Sequence, residues 1–424
     1  MAVRRTLADW LIWQQRVHPR GVELGLARVA AVARRMDIDR PRCPVITVGG
    51  TNGKGSTVAF LAALARAAHW RVGSFTSPHL MHYNERICID GVPAPDASLV
   101  DAFERVEAAR GTTSLTFFEY NTLAALDLFA REPLDLMLLE VGLGGRLDAV
   151  NLVDADVAVI CSIGLDHREW LGDSLQQIGR EKAGILRPGR PVVLGSDDMP
   201  ASVLHLSDAQ GCQRWQYAKT HRAVRAVAGR WSYRGARWQF HDLPAPALAG
   251  DIQFTNAANA LAALEALAAR APPLAAAKVA AAMRAVRLRG RFDILRTLPE
   301  WILDVAHNEP AALQLAAALR GRPCAGQSWA VAGILADKDI AAIGAALASE
   351  FAGWILCGTD EEARGTSARV LRDRLPETCV DVAQRPSVAA GCDAARAIAA
   401  RDDRVVVLGS FHTVGPALAW LGLY

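Results

Sequence analysis

The sequence predicts an α/β protein in two parts: a P-loop parallel-sheet domain with a small antiparallel β region, then a smaller Rossmann-like C-terminal domain. Three observations carry this. The stretch Pro44-Val-Ile-Thr-Val-Gly-Gly-Thr-Asn-Gly-Lys-Gly-Ser-Thr57 runs from apolar strand residues through glycines into a helical pattern. Apolar runs without in/out alternation then alternate with helical segments, as in a parallel sheet covered on both faces. The alternation starts afresh beyond residue 300. The expected domains are residues 1–293 and 294–424.

Element by element, residues 6–36 read as two helices broken at His18-Pro19-Arg20-Gly21, with Leu24, Leu26, Val29 and Val32 on an apolar face. The first strand and its glycine loop follow, then a helix over about 56–68. Strands are expected at 71–75, 134–141, 156–160 and 191–194, with helices at 99–110, 122–130 and 176–185. From 201 to 246 aromatic residues lie among polar residues and glycines, which predicts short antiparallel strands whose aromatics pair across the sheet. Helices are expected at 256–269 and 273–286, and residues 292–300 read as a hinge. The second part predicts strands at 301–305, 328–335, 354–357 and 405–408, with helices at 310–319, 340–347 and 388–400.

With 424 residues the chain can bury two cores. Hydrophobic residues make up 51% and charged residues 21%, an ordinary globular balance that excludes a disordered chain. A formal net charge of +3, with both signs interspersed, argues against broad nucleic-acid binding. The eight cysteines form no Cys-x-x-Cys pair and no zinc spacing, so they read as mostly buried free thiols. No apolar run approaches the roughly 18 residues that a membrane span needs. The expectation is a cytoplasmic, monomeric protein with small-molecule ligands and no membrane or nucleic-acid partner.

The glycine loop departs from the common P-loop spacing, because only three residues separate Gly49 from Gly53 and Gly55 stands between Lys54 and Ser56. Its chemistry is nevertheless that of a phosphate site. The backbone of Gly50, Thr51, Asn52, Gly53, Lys54, Gly55, Ser56 and Thr57 can close round phosphate oxygens, and a helix N-terminus adds its dipole. Lys54 is placed for the terminal phosphates, and the Ser56 hydroxyl for Mg²⁺. Ligands of open parallel sheets bind beyond the carboxyl ends of the strands. At those ends stand Ser77, Glu140 and, after the strand at 156–160, Asp166 and His167. If these strands are neighbours, Ser77, Glu140 and His167 form a hydroxyl–carboxylate–imidazole set beside the phosphates.

Six segments of the first part fall into one pattern: Val48-Gly-Gly-Thr-Asn-Gly-Lys-Gly-Ser56, Phe75-Thr-Ser-Pro-His79, Tyr83-Asn-Glu-Arg-Ile87, Leu139-Glu-Val-Gly-Leu-Gly-Gly-Arg-Leu-Asp-Ala149, Gly164-Leu-Asp-His167 and Gly179-Arg-Glu-Lys-Ala-Gly184. Three more follow in the second part: Asp304-Val-Ala-His-Asn308, Leu335-Ala-Asp-Lys-Asp339 and Gly409-Ser-Phe-His-Thr-Val414. Together they resemble the folylpolyglutamate synthase/dihydrofolate synthase family of the Mur-ligase superfamily, over nearly the whole chain and in the family's order.

The resemblance implies an ATP-dependent ligase that phosphorylates a pteroate or folate carboxylate and joins it to L-glutamate. It implies ATP and two Mg²⁺ ions. Ser56 and Glu140 would hold one ion, and Ser77, Glu140 and His167 the other. Lys182 matches a lysine that carries a carbamate in this family; its alternative is an ordinary surface lysine. Asn256 and Arg291 match nucleotide-contacting positions, although the family often has His-Gln where this chain has Ile252 and Gln253. Asp304 and His307 would act on the nucleotide from the second domain; their alternative is a polar loop after a strand.

Thr116, Phe118, Asp148 and Ala149 resemble the pterin pocket of bifunctional members, which act on dihydropteroate as well as on reduced folates; the alternative is a monofunctional folylpolyglutamate synthase, which only extends folate tails. Phe118 offers an aromatic face or is core. A peptidoglycan Mur ligase would need a further domain before the loop, where this chain has only 43 residues. A simple P-loop kinase or GTPase leaves Asp304, His307, Ser410 and His412 unexplained, and Lys54, Glu140, His167 and Lys182 argue against a non-catalytic relative.

Overall fold

The computed structural model describes residues 5–267, 270, 274–359 and 364–423. The chain divides into two compact units. The first comprises Met1–Ile163, Trp170–Pro246 and Phe254–Val286; the second comprises Gly164–Glu169, Ala247–Gln253 and Arg287–Tyr424.

The first unit is built on β1 (Val45–Gly49), β2 (Val72–Phe75), β3 (Ile87–Ile89), β4 (Val92–Pro93), β5 (Leu136–Glu140), β6 (Val157–Ile160), β7 (Pro191–Leu194) and β8 (Gln213–Gln216). They form one sheet in the order β4-β3-β2-β5-β1-β6-β7-β8. Strands β2, β5, β1 and β6 are parallel neighbours and buried throughout, which is why their sequences show no alternation. The register sets Val48 beside Glu140 and Gly49 beside Ile160, so the loops after these strands leave from one edge of the sheet.

The antiparallel edge β3–β4 is absent from the sequence reading. Its signal is the two-residue turn Asp90 and Gly91, both at positive φ (53° and 76°), the Asp-Gly hairpin turn whose twist matches that of the strands it joins. A further correction concerns residues 201–216. Ala201–Ala209 is a helix, and β8 pairs parallel with β7. The crossover helix between them makes that pairing parallel. The antiparallel region is confined to β9 (Arg222–Arg225), β10 (Arg230–Arg234) and β11 (Gln239–Pro244). Its aromatics do pair across strands: Tyr233 lies opposite Phe240, with the rings stacked at 6.2 Å.

The second unit carries β12 (Asp293–Leu295), β13 (Glu300–Asp304), β14 (Ser328–Ala332), β15 (Gly353–Cys357), β16 (Val382–Arg385) and β17 (Arg404–Leu408) in the order β12-β13-β17-β14-β15-β16. All pairs are parallel except β12–β13, a hairpin formed by the stretch read as a hinge. The helices Ala368–Arg374 and Phe411–Trp420 and strand β16 escaped the sequence reading, the first being short and rich in charge and the last only four residues long. Phe411–Trp420 contains Pro416, an internal breaker that masks a helix in the sequence. The helices anticipated at 256–269 and 273–286 are observed as Ile252–Ala266 and Ala276–Ala285; Ala269 and Pro273 lie outside the described residues. All eight cysteines are free thiols, four of them buried. Among the described residues no helix is long and apolar enough to cross a membrane.

Candidate functional site

In the first unit the glycine loop joins β1 to the helix Lys54–Ala67, whose N-cap is Gly53 at φ +88°. A Cβ on Gly53 would stand 2.8 Å from Asn256 Oδ1, so the glycine is what lets Asn256 reach the loop. Gly50, at φ +141°, lies against the backbone nitrogens of Cys161 and Ser162. Not every loop amide is open to a ligand. Thr51 N donates to Ser162 O (2.8 Å) and Asn52 N to Ser162 Oγ (3.1 Å). The first-turn amides of Lys54, Gly55 and Ser56 have no intrahelical acceptor, because the ladder starts with Thr57 N donating to Gly53 O. These three amides, at the positive end of the helix dipole, make the anion cradle. Ser56 is buried inside the cradle, and Thr57 is buried with Cys161 Sγ donating to its hydroxyl (3.3 Å).

Two lysines meet here. Lys54 Nζ donates to Gly50 O (3.0 Å) and Thr51 O (3.1 Å), and Lys182 Nζ donates to the same Gly50 carbonyl (3.0 Å). Lys182 is only 5% exposed, which removes the surface-lysine alternative. Two ammonium groups no more than two hydrogen-bond lengths apart repel one another in a poorly solvated site, and anionic charge between them relieves the strain. Glu140, buried at the end of β5, accepts from Ser77 N (3.1 Å), so β5 and the loop after β2 bring their candidate ligands together.

The candidate substrate residues lie in the same unit. Thr116 is a helix N-cap in a capping box with Glu119, so its hydroxyl and backbone N–H are engaged locally. Phe118 is half-buried, 5.7 Å from Phe75 between ring centroids and flat against Gly142, where a Cβ would meet the ring at 2.7 Å. It is therefore not sealed in the core. Asp148 is buried, accepting from Leu143 N (2.8 Å) and Val150 N (3.0 Å), and Ala149 is buried beside it. Burial pushes the Asp148 carboxyl up to about 6, against the lowering influence of the amides of Leu143, Val150 and Gly142 and of Lys54.

The second unit gathers His167, Arg291, Asp304 and His307. Asp304 accepts from Phe292 N (2.8 Å) and Ala306 N (2.8 Å); burial raises its carboxyl, opposed by Arg291, those amides and His307. Arg291 stacks over the Phe411 ring at 5.0 Å. His307 Nδ1 faces Val305 O (2.8 Å), which turns Nε2 towards Asp166 (3.6 Å). His167 sits in the left-handed region (φ +50°), its N–H donating to Asp166 Oδ1 (2.8 Å).

Asp166 is the centre of this cluster and was not singled out as a site residue from the sequence. Lys338 Nζ donates to it at 2.7 Å and Asn308 Nδ2 at 2.8 Å. Burial alone would raise its carboxyl, but His307, His167 and Lys338 outweigh that and hold it far below the usual carboxylate range. The signal was present: Asp166, Asn308 and Lys338 each lie inside a motif quoted above, but nothing in a linear motif says which members face one another.

The family is now decided by comparison. A model of the Mur ligase middle domain matches residues 48–267, and one of the Mur ligase glutamate ligase domain matches residues 290–411. Over 428 residues the chain is 41% identical to the Escherichia coli dihydrofolate synthase/folylpolyglutamate synthase, covering 98% of this chain and 96% of that one. This chain belongs to the dihydrofolate synthase/folylpolyglutamate synthase family of Mur ligases. Its fold is similar to that of E. coli FolC in complex with DHPP and ADP, with a TM-score of 0.93, 39% identity and coverage of 99% and 98% of the two chains. It is also similar to a bifunctional folylpolyglutamate synthase/dihydrofolate synthase with Mn, AMPPNP and L-glutamate bound, at TM-score 0.91, 41% identity and the same coverage.

The donor set fits a hard divalent cation. Ser56, Ser77 and Glu140 offer oxygen, and Glu140 is a buried carboxylate that a cation would neutralise. Among the described residues no three His, Cys, Asp or Glu side chains are grouped so that they alone could hold a metal ion. A cation here must therefore lean on hydroxyls and on its other ligands, as Mg²⁺ bound to a nucleotide does.

Proposed function

We propose that this protein is an ATP-dependent amide ligase that joins L-glutamate to dihydropteroate, forming dihydrofolate, and to the glutamate tail of reduced folates. The observation that carries the reading is the convergence of Lys54 and the buried Lys182 on one loop carbonyl, at the mouth of three open helix amides. That is a site built for concentrated negative charge. A carboxylate is a poor acylating agent, and phosphorylation by ATP gives it a leaving group, so that the glutamate amine can displace phosphate. Mg²⁺ at Ser56, Ser77, Glu140 and His167, as two ions, would neutralise the phosphate oxygens during that transfer.

The chain's own groups supply the rest. Lys54 and the amides of Lys54, Gly55 and Ser56 hold the terminal phosphates, and Asn256 and Arg291 hold the nucleotide. A carbamate on Lys182 would turn the second cation into an anion and relieve the repulsion with Lys54. Phe118 and the buried Asp148 suit a planar ring with N–H donors, with Thr116 and Ala149 shaping the pocket. Asp304 and His307 act on the nucleotide from the second domain, residues 294–424. The protein works as a cytoplasmic monomer.

The test is ADP release that depends on L-glutamate, measured with dihydropteroate and separately with a reduced folate. Turnover with both is expected. Turnover with reduced folate alone removes the dihydropteroate activity, and turnover with neither overturns the ligase reading.

A further inference from the structure

The segment Tyr83-Asn-Glu-Arg-Ile87 has no role in the reading above, yet it holds an unusual group. Arg86 is 9% exposed, at the junction of a short 3₁₀ turn (Tyr83–Arg86) and β3. Its Nε donates to His79 Nδ1 at 2.7 Å, and its guanidinium lies over the rings of Phe117 (5.7 Å) and Tyr83 (5.9 Å). Its two terminal nitrogens have no protein acceptor among the described residues, and neither is sealed from solvent.

The neighbouring carboxylates do not pair with it. Glu85 is spent on the backbone N–H groups of Leu80, Met81 and His82 (2.7–2.9 Å). Glu140 is close enough to be felt electrostatically but accepts from Ser77. Burial works against the Arg86 charge. A buried guanidinium without a carboxylate costs stability, and two aromatic faces offset only part of that. Such a group persists where a ligand completes it.

The surroundings say which ligand. Its guanidinium lies over Phe117, adjacent in sequence to the candidate ring-binding residues Thr116 and Phe118, and is near enough to Glu140, the candidate metal ligand, to feel its charge. A substrate with its ring at Phe118 and its carboxylate at the phosphate site would bring that carboxylate into the neighbourhood that Arg86 shares with Glu140. We propose that Arg86 is a substrate-binding residue, whose free terminal nitrogens take the carboxylate of the pteroate-type acceptor in a planar two-point contact. This rests on the ligase reading above. The planar fork matches a carboxylate, and the contact would hold the oxygen that becomes phosphorylated.

The experiment is equilibrium binding of dihydropteroate and of its carboxamide counterpart to the full chain, without ATP, so that nothing turns over. The wild type should prefer the carboxylate. Arg86→Met should weaken dihydropteroate by about 10-fold or more, the usual worth of a charge-assisted pair, while carboxamide binding stays within about 2-fold. Arg86→Gln, which keeps a donor for His79 without the charge, repeats the comparison in a background that preserves the buried contact. ADP affinity should be unchanged in both. Equal loss of both ligands would show a merely structural arginine, and a preserved carboxylate preference would remove Arg86 from the site; either overturns the assignment. Failure of the wild type to bind either ligand would instead overturn the substrate reading, a different result from the same titration.

Discussion

Asp148 offers a quantitative test of the pocket. Its carboxyl is raised from 3.8 to about 6 because it is buried, even though it accepts from two backbone amides. The folded protein therefore holds the proton more tightly than the unfolded chain between those two values. The stability that follows is fully present below pH 3.8 and is lost as pH rises through about 6. At about 1.4 kcal/mol per pKa step, the loss approaches 3 kcal/mol.

His221 works in the opposite direction. Burial lowers it from 6.5 to about 4, against the hydrogen bond its Nε2 donates to Asn259 Oδ1, so its stability is present above pH 6.5 and lost on acidification towards 4. The two effects overlap, and the wild-type curve alone does not separate them. Asp148→Asn does, because an amide has one acceptor and one donor edge, like a protonated carboxyl. Urea unfolding of both proteins at about pH 4 and about pH 8 should show the variant gaining on the wild type by about 3 kcal/mol at the higher pH. A difference that does not change with pH would show that Asp148 ionises normally in the fold, and the argument from burial would fail.

Three further outcomes follow from the geometry. Lys182→Ala should abolish most turnover while ADP still binds, and added short carboxylates should restore part of it; full activity in the variant refutes the carbamate role. Gly53→Ala forces a side chain into φ +88° and against Asn256 Oδ1, so it should cost about 1–3 kcal/mol of stability and weaken ADP binding in titration calorimetry. Lys338→Met leaves the buried Asp166 carboxylate without its ammonium partner at 2.7 Å and should destabilise the protein by about 3–5 kcal/mol in chemical denaturation. A loss below about 1 kcal/mol would show that Asn308 and His307 suffice.

Much of the architecture is legible in the linear chain because the central strands are buried on both faces and leave unbroken apolar runs. The phosphate loop is legible because only small residues tolerate its backbone, Gly50 and Gly53 both lying at positive φ. The misreadings have specific causes. The β3–β4 edge is too short for a periodic signal, and its Asp-Gly turn was the one clue. Residues 201–216 differ from the antiparallel expectation because they share a stretch with the aromatics that follow, Tyr217 to Phe240, yet hold only Trp215 themselves, and a helix with buried Val203 and Ser207 precedes β8.

What the sequence alone determined is the chemistry on offer: a lysine and hydroxyl after a glycine loop, carboxylates at strand ends, and an arginine in a recurring motif. Only the tertiary structure decided how each is used. It set Lys182 beside Lys54 on a single carbonyl, though 128 positions separate them in the chain. It made Asp166, from a loop after β6, the anchor for Lys338 and Asn308. It buried Arg86 over two rings with its terminal nitrogens unspent. Charge balance depends on distance and desolvation, and both are properties of packing that no local pattern encodes.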